Sequence, residues 1–365
     1  MDVLPDMPVK GRGAISNATG RYERFETQRI DDGWRPVDLP PDPADAPPPL
    51  RTELIRDSSR TIIARNESPD VPFDRSINPY RGCEHGCVYC FARPTHAWLG
   101  MSPGLDFESR ILFKLEAARL LEKELRKPNY KCRIMAMGTN TDPYQPSEKS
   151  MRITRSILEV LAEFNHPVGI VTKSALVTRD IDILAPMAEK GLAQVCVSVT
   201  TLDHRLANKL EPRAATPSKR LDALRALSAA GIPTGVMAAP VIPALTDSEL
   251  ESILEAGMDA GAEVAGYILL RLPLEISDLF VEWLKTHAPD RADHVMSLVR
   301  GARGGKDYAA EFGTRMRGTG EYARMLGQRF RLACRKLGLD TEQRNRLDET
   351  LFRVPVEKNG QMPLF

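Results

Sequence analysis

The sequence predicts an α/β protein, a partial or complete barrel of six βα units, on three observations. Five short, continuously apolar runs recur between Cys132 and Leu270, the pattern of parallel strands buried on both faces. Helix-length stretches separate them. Chemically rich segments (the cysteines, GTNTDPYQP and TKS) each follow a predicted strand, where such folds build their active sites. An open doubly wound sheet is the alternative with the same alternation.

In chain order, residues 1–70 read as a flexible or extended arm, poor in large apolar side chains and carrying PVDLPPDPADAPPPL. A first strand is placed near Ile77. One amphipathic helix is expected over 107–126, with Ile111, Leu112, Leu115, Ala118, Leu121 and Leu125 at helical spacing. The apolar runs place strands at 132–138, 168–173, 193–199, 233–239 and 265–270. Helices fall at about 147–164, 178–189, 217–230 and 246–260. Ser147, Thr178 and Thr246 stand where helices start, and Gly191 and Gly231 where they stop. The core thus occupies 71–290, an α-rich basic extension 291–356, and a flexible tail 357–365.

With 365 residues, 42% of them hydrophobic, the chain can bury a large core. Its 50 basic and 49 acidic residues nearly cancel, so overall charge selects no partner. No apolar run approaches the roughly 20 residues of a membrane span, and MDVLPDMPVKGRGA lacks the apolar stretch of a secretory signal. The expected location is the cytoplasm, where thiols stay reduced and clustered cysteines indicate metal rather than disulfides. Cys132, Cys196 and Cys334 are dispersed and read as small buried apolar residues.

The other three cysteines form Cys83-x3-Cys87-x2-Cys90, a loop able to wrap three thiolates around one inorganic core. A [4Fe–4S] cluster ordinarily takes four cysteines; three leave one iron open to a small molecule. The alternative is structural zinc with His85 or His96 as fourth ligand, in a non-catalytic binding module. Against zinc stand the three-residue first gap and the aromatic Tyr89 before the last cysteine.

From Ser76 to Leu272 the chain resembles the radical S-adenosylmethionine (SAM) superfamily, and within it the proteins related to spore photoproduct lyase, a DNA repair enzyme. The resemblance implies a partial (β/α)6 barrel in which a cluster on Cys83, Cys87 and Cys90 reductively cleaves SAM to a 5′-deoxyadenosyl radical. It implies an electron donor such as flavodoxin or ferredoxin. It places Tyr89 beside the adenine, and Thr139, Asn140, Thr141 and Asp142 near the methionyl amino group. Lys173 and Ser174 would face the carboxylate, and Ser198 and Thr200 the ribose. Leu210-Glu211-Pro212 and Thr216-Pro217-Ser218 also resemble the family. One departure matters. The position of the lyase's hydrogen-donating cysteine is Gly138 here, and Cys132 lies six residues earlier, about 20 Å along an extended strand.

Two features bear on substrate. Residues 300–336 carry ten Arg or Lys against three acids, with interleaved glycines. Such a surface suits phosphate backbones, Arg315 and Arg317 being the candidate contacts; the same residues would also serve as a solvated helical face. The terminus Gln361-Met362-Pro363-Leu364-Phe365 resembles the peptide that docks repair proteins on the DNA sliding clamp, Gln361, Met362, Leu364 and Phe365 being its contacts. The expected activity is therefore radical SAM chemistry on nucleic acid, in repair or modification. A peptide or small metabolite is the alternative substrate, disfavoured because no second cysteine cluster is present.

Overall fold

The computed structural model describes residues 6–23, 50–341 and 347–356. The tail residues Gln361, Met362, Leu364 and Phe365 lie outside them.

Ten strands occur among the described residues: β1 (Glu53–Arg56), β2 (Ile63–Arg65), β3 (Arg75–Ile77), β4 (Tyr80–Arg81), β5 (Arg110–Phe113), β6 (Met135–Met137), β7 (Val168–Thr172), β8 (Ala193–Ser198), β9 (Thr234–Val241) and β10 (Val264–Leu269). The main sheet has the order β10-β9-β8-β7-β6-β3-β2. From β3 to β10 every pairing is parallel, and only β2 joins β3 antiparallel. Six parallel strands in sequence order, with the first and last unpaired to each other, make the partial barrel. Its strands are buried because helices cover them: Ile157, Leu161, Leu184, Leu224, Leu227 and Leu254 pack into one core with Met135, Ile170, Val195 and Val236, the arrangement parallel sheets require.

The helices follow the sequence reading closely at Ile153–Glu163, Ile181–Glu189, Pro217–Ala229 and Leu250–Asp259. Ser147 and Thr246 immediately precede helical turns, whereas Thr178 lies inside the 3-10 turn Ala175–Asp180.

Two expectations change. The single helix over 107–126 is instead Leu105–Ser109, strand β5, and Ala117–Leu125. Its middle becomes a strand because β1 and β4 flank it with ladder partners, and pairing from elsewhere in the chain overrides helical spacing. The arm of 1–70 is not wholly apart from the core either. Residues 12–16 are buried, and β1 to β2 belong to sheets. Three of the polar groups concerned reach Glu108, as described below.

The extension is a helical pair, Ala292–Gly301 and Gly320–Leu337, joined by a loop folded around Arg303. That buried guanidinium donates to the carbonyls of Leu269, Leu270, Thr314 and Arg315, fixing the loop to the end of β10. No helix among the described residues is long and apolar enough to cross a membrane.

Candidate active site

The cysteine loop leaves the main sheet after β3 and lies over the C-terminal ends of the strands. Cys83 and Cys87 are buried and Cys90 nearly so. Burial pushes all three thiols up; the Asp142 carboxylate and the other two thiols add to this at Cys83. Lys173 acts in the opposite sense on Cys87 and Cys90, and Arg93 on Cys90. Three thiols, two buried and one nearly so, within electrostatic reach of one another and beside two cations, fit a metal centre, which would hold them as thiolates. Among the described residues no three Cys, His, Asp or Glu side chains close on a single point. His85 instead pairs with Asp142 through Nδ1 at 3.4 Å, and His96 Nε2 bonds the Arg110 carbonyl at 3.0 Å.

Beneath the loop lie two buried carboxylates. Glu84, inside it, accepts from Thr52 Oγ at 2.7 Å and from Ser147 N at 2.7 Å, and pairs with Arg213 at 3.2 Å. Glu108 is ion-paired with Arg93 and accepts Gly13 N and Ala14 N, each at 2.8 Å. Arg93 also donates to the carbonyls of Cys87, at 2.9 Å, and Gly86, at 3.2 Å. Arg12 closes the strap by donating to Glu108 O at 2.6 Å. Gly13 is required where strap meets loop: a Cβ there would fall 1.8 Å from the Gly86 carbonyl oxygen.

Across the strand ends, four of the residues read from sequence meet at one point. Lys173 Nζ donates to Ser198 Oγ (2.9 Å), Thr200 Oγ (3.1 Å) and the Ala239 carbonyl (2.8 Å), and lies 5.7 Å from the Tyr89 ring centre. The carboxylate, ribose and adenine positions expected separately are therefore one cluster. Its anchor is Glu211, paired with Arg220 and at 3.3 Å with Lys173, and bonded by Tyr89 Oη and Thr200 Oγ. Burial opposes ionisation of Glu211, but Arg220 and Lys173 together with its hydrogen bonds hold it well below the usual carboxylate range. Asp142 joins this cluster to the cysteine loop. It accepts Lys173 N and Thr172 Oγ at 2.7 Å and Tyr144 N at 2.8 Å. Burial is outweighed there too, by His85 and these bonds, and the pKa is lowered.

Other sequence-predicted positions have local partners. Thr139 Oγ and Asn140 N both donate to Asn78 Oδ1, at 3.3 and 3.1 Å, and Thr141 Oγ to the Tyr80 carbonyl at 3.2 Å. The Asn140 side chain is exposed. Ser174 Oγ accepts Leu176 N at 3.2 Å and so caps the following turn. Arg315 is not a free cation: it is paired with Asp70 and donates to Ser68 Oγ at 2.5 Å. Arg317 lies 5.7 Å from the Tyr267 ring centre. Sequence reading gave no role to Glu84, Arg93, Glu108, Glu211 or Arg220. The signals available were a charge within the cysteine loop, an arginine three residues after it, and the Leu210-Glu211-Pro212 stretch.

A thiol loop above the strand ends of a partial α/β barrel, facing a buried Lys–Glu–Tyr cluster, is an arrangement that can hold a cofactor. Residues 77–257 match the model of the radical SAM superfamily. An uncharacterized protein of Mycobacterium tuberculosis is 38% identical over 242 residues, 65% of this chain and 71% of that protein. One of Methanocaldococcus jannaschii is 29% identical over 200 residues, 54% of this chain and 71% of its own length. The chain belongs to the radical SAM superfamily. Its fold is similar to that of spore photoproduct lyase complexed with dinucleoside spore photoproduct, at a TM-score of 0.54 and 16% identity over 78% of this chain and 80% of that one. A mutant of that enzyme with bound AdoMet and dinucleoside spore photoproduct gives 0.54 at 15% identity, with the same coverage.

Proposed function

We propose that this protein reductively cleaves SAM at a [4Fe–4S] cluster on Cys83, Cys87 and Cys90, and applies the resulting chemistry to nucleic acid, in DNA repair or modification. The observation carrying the first half is the set of three thiols, Cys83 and Cys87 buried and Cys90 nearly so, facing the Lys173 cluster. When bound, the cluster supplies the electron that opens a C–S bond of SAM and yields a 5′-deoxyadenosyl radical. The chain's own residues bind and orient. Lys173 offers its ammonium to the methionyl carboxylate, exchanging one of its present acceptors for it. Asp142, with Thr139, Asn140 and Thr141 on the same loop, receives the amino group. Ser198 and Thr200 lie toward the ribose and Tyr89 toward the adenine. Ser174 shapes the turn after Lys173. A cytoplasmic electron donor such as flavodoxin or ferredoxin would reduce the cluster.

The nucleic-acid half is supported by the fold shared with a lyase solved with a dinucleoside lesion and by the basic extension. The hydrogen-transfer step would not be that lyase's own, since Gly138 stands at the position the resemblance gives to the donating cysteine. A side chain at Gly138 would place its Cβ 1.9 Å from the Val171 carbonyl oxygen, on a backbone with φ of +89°. A cysteine cannot sit there without moving β7.

The test is anaerobic: reconstitute and reduce the protein, add SAM, and assay 5′-deoxyadenosine with and without DNA. Production that rises with DNA supports both halves. Production indifferent to DNA returns the substrate to a peptide or small metabolite, and a colourless protein with one zinc and no product overturns the reading. Removing residues 361–365 should abolish sliding-clamp binding and leave SAM cleavage intact.

A further inference from the structure

The arginines around the site mouth differ in what holds them. Arg12, Arg93 and Arg220 are built into buried networks, and Arg315 is committed to Asp70. Arg271, two residues beyond the end of β10, is different. Among the described residues no carboxylate lies within ion-pair distance of it, and its hydrogen bond is to Met316 Sδ at 2.8 Å. Asp70, the carboxylate whose charge reaches it, already accepts Gly313 N at 2.6 Å and pairs with Arg315. Arg303 lies close enough to act on Arg271 electrostatically, and its buried Nε has no hydrogen-bond partner among the described residues. Burial and, to a smaller extent, the neighbouring Arg315 disfavour the Arg271 charge, while Tyr308, Asp70 and the Cys90 thiol act in the opposite sense.

The Arg271 guanidinium carbon lies 4.5 Å from the centre of the Phe91 ring. Phe91 follows Cys90 directly and is 44% exposed, a large apolar ring at the open edge of the cysteine loop. A half-buried cation with no ion-pair partner among the described residues is costly, and an arriving anion lowers that cost. A planar guanidinium suits phosphate, and an exposed aromatic face accepts any base.

We infer that Phe91 and Arg271 form a nucleotide anchor at the site mouth, Phe91 stacking an unpaired base and Arg271 holding the adjoining phosphate. The anchor rests on the nucleic-acid reading above and deepens it: the strand is engaged single-stranded or with its base extruded, beside the cluster loop.

The experiment uses the reconstituted holoprotein and a short fluorescein-labelled single-stranded thymidine oligomer, with binding read by anisotropy over a range of salt. Phe91→Ala should weaken binding about ten-fold. Arg271→Gln should lower the slope of log affinity against log salt by about 0.7, while Arg271→Lys keeps the slope and loses affinity several-fold. Where Phe91→Ala fails to hold its brown cluster, Phe91→Leu keeps the apolar volume without the π face. Variants matching the parent in affinity and slope overturn the anchor alone. A parent protein that binds neither oligomer nor duplex removes the nucleic-acid reading, and the anchor with it. Polyglutamate binding that Arg271→Gln weakens and Phe91→Ala leaves unchanged would make this a general anion site and overturn the stacking role.

Discussion

Both ends of the barrel are closed by segments from the ends of the chain, with different chemistry. At the C-terminal ends of the strands, residues 12–14 lie against the cysteine loop through a buried hub of charge, Glu108 with Arg93 and two strap amides. At the opposite ends, residues 348–353 cross the starts of β6, β7 and β8 by backbone bonds, aromatic packing and Glu349, which accepts Ile134 N at 3.0 Å and pairs with the exposed Arg133 at 2.6 Å. Asp348 N bonds Gly191 O at 2.9 Å, and Arg353 N bonds Phe164 O at 3.0 Å. The Phe352 ring packs 5.5 Å from Tyr130 and 5.6 Å from His166, between centroids. At this lower end the Arg133–Glu349 ion pair is partly exposed to solvent and rings fill the buried part. Where loop carbonyls and thiols must be held in one arrangement, directional buried charges are used, and they impose position at the risk of a large penalty if half a pair is lost.

That asymmetry predicts the largest effect at Glu108. Glu108→Gln leaves the Arg93 guanidinium buried without its counter-charge, which should cost about 3–5 kcal/mol. Guanidinium unfolding should report that loss, and iron per chain after reconstitution should fall with it. Gly13→Ala attacks the same contact sterically and should lower iron content while leaving Glu108 in place. Equal iron in both variants and parent would mean that the strap does not position the loop.

Acid separates the two ends. Burial lowers His166 to about 4 from an ordinary 6.5, so on acidification the unfolded chain takes up this proton first. Stability is full above pH 6.5 and declines toward pH 4, by about 3 kcal/mol. Glu211 and Asp142 have lowered pKa values. Their contribution is full above the ordinary carboxylate range and is lost only as pH falls through their folded values. Urea midpoints against pH should therefore show an upper limb that His166→Gln removes and a lower limb that it leaves. A single limb below pH 4 would place no titrating group at the lower end.

Phe352→Ala should follow, at about 1–3 kcal/mol for a half-buried aromatic. It should not change iron content or SAM cleavage, which makes it the control for Glu108→Gln.

What could be read from the sequence divides along the same lines. The parallel strands were legible because each is a local apolar run, and the cysteine loop because its spacing is chemistry in itself. Lys173, Ser198 and Thr200 were legible as strand-end polar residues, but not that they meet, since their meeting depends on Glu211 and Arg220 from the following helices. Strand β5 read as helix because Ile111, Leu112 and Leu115 fit helical spacing, while its partner β1 lies in a segment with no strand signal of its own. The strap was invisible. Arg12-Gly13-Ala14 carries no catalytic group, and its role exists only against a carboxylate 94 or 95 residues away.

The smallest expected effect sharpens the division within the site itself. The family resemblance places Ser174 at the SAM carboxylate, yet its hydroxyl accepts Leu176 N, the work of a cap. Ser174→Ala should cost about 1 kcal/mol, and Ser174→Thr should restore most of it. If capping is its whole role, SAM affinity measured by equilibrium dialysis on the reconstituted protein stays at the parent value in both variants. Lys173→Met in the same assay should lose affinity about ten-fold or more, since it removes a charge-assisted partner. A Ser174→Ala protein that loses SAM affinity as Lys173→Met does, at unchanged stability, would move Ser174 from the scaffold to the ligand.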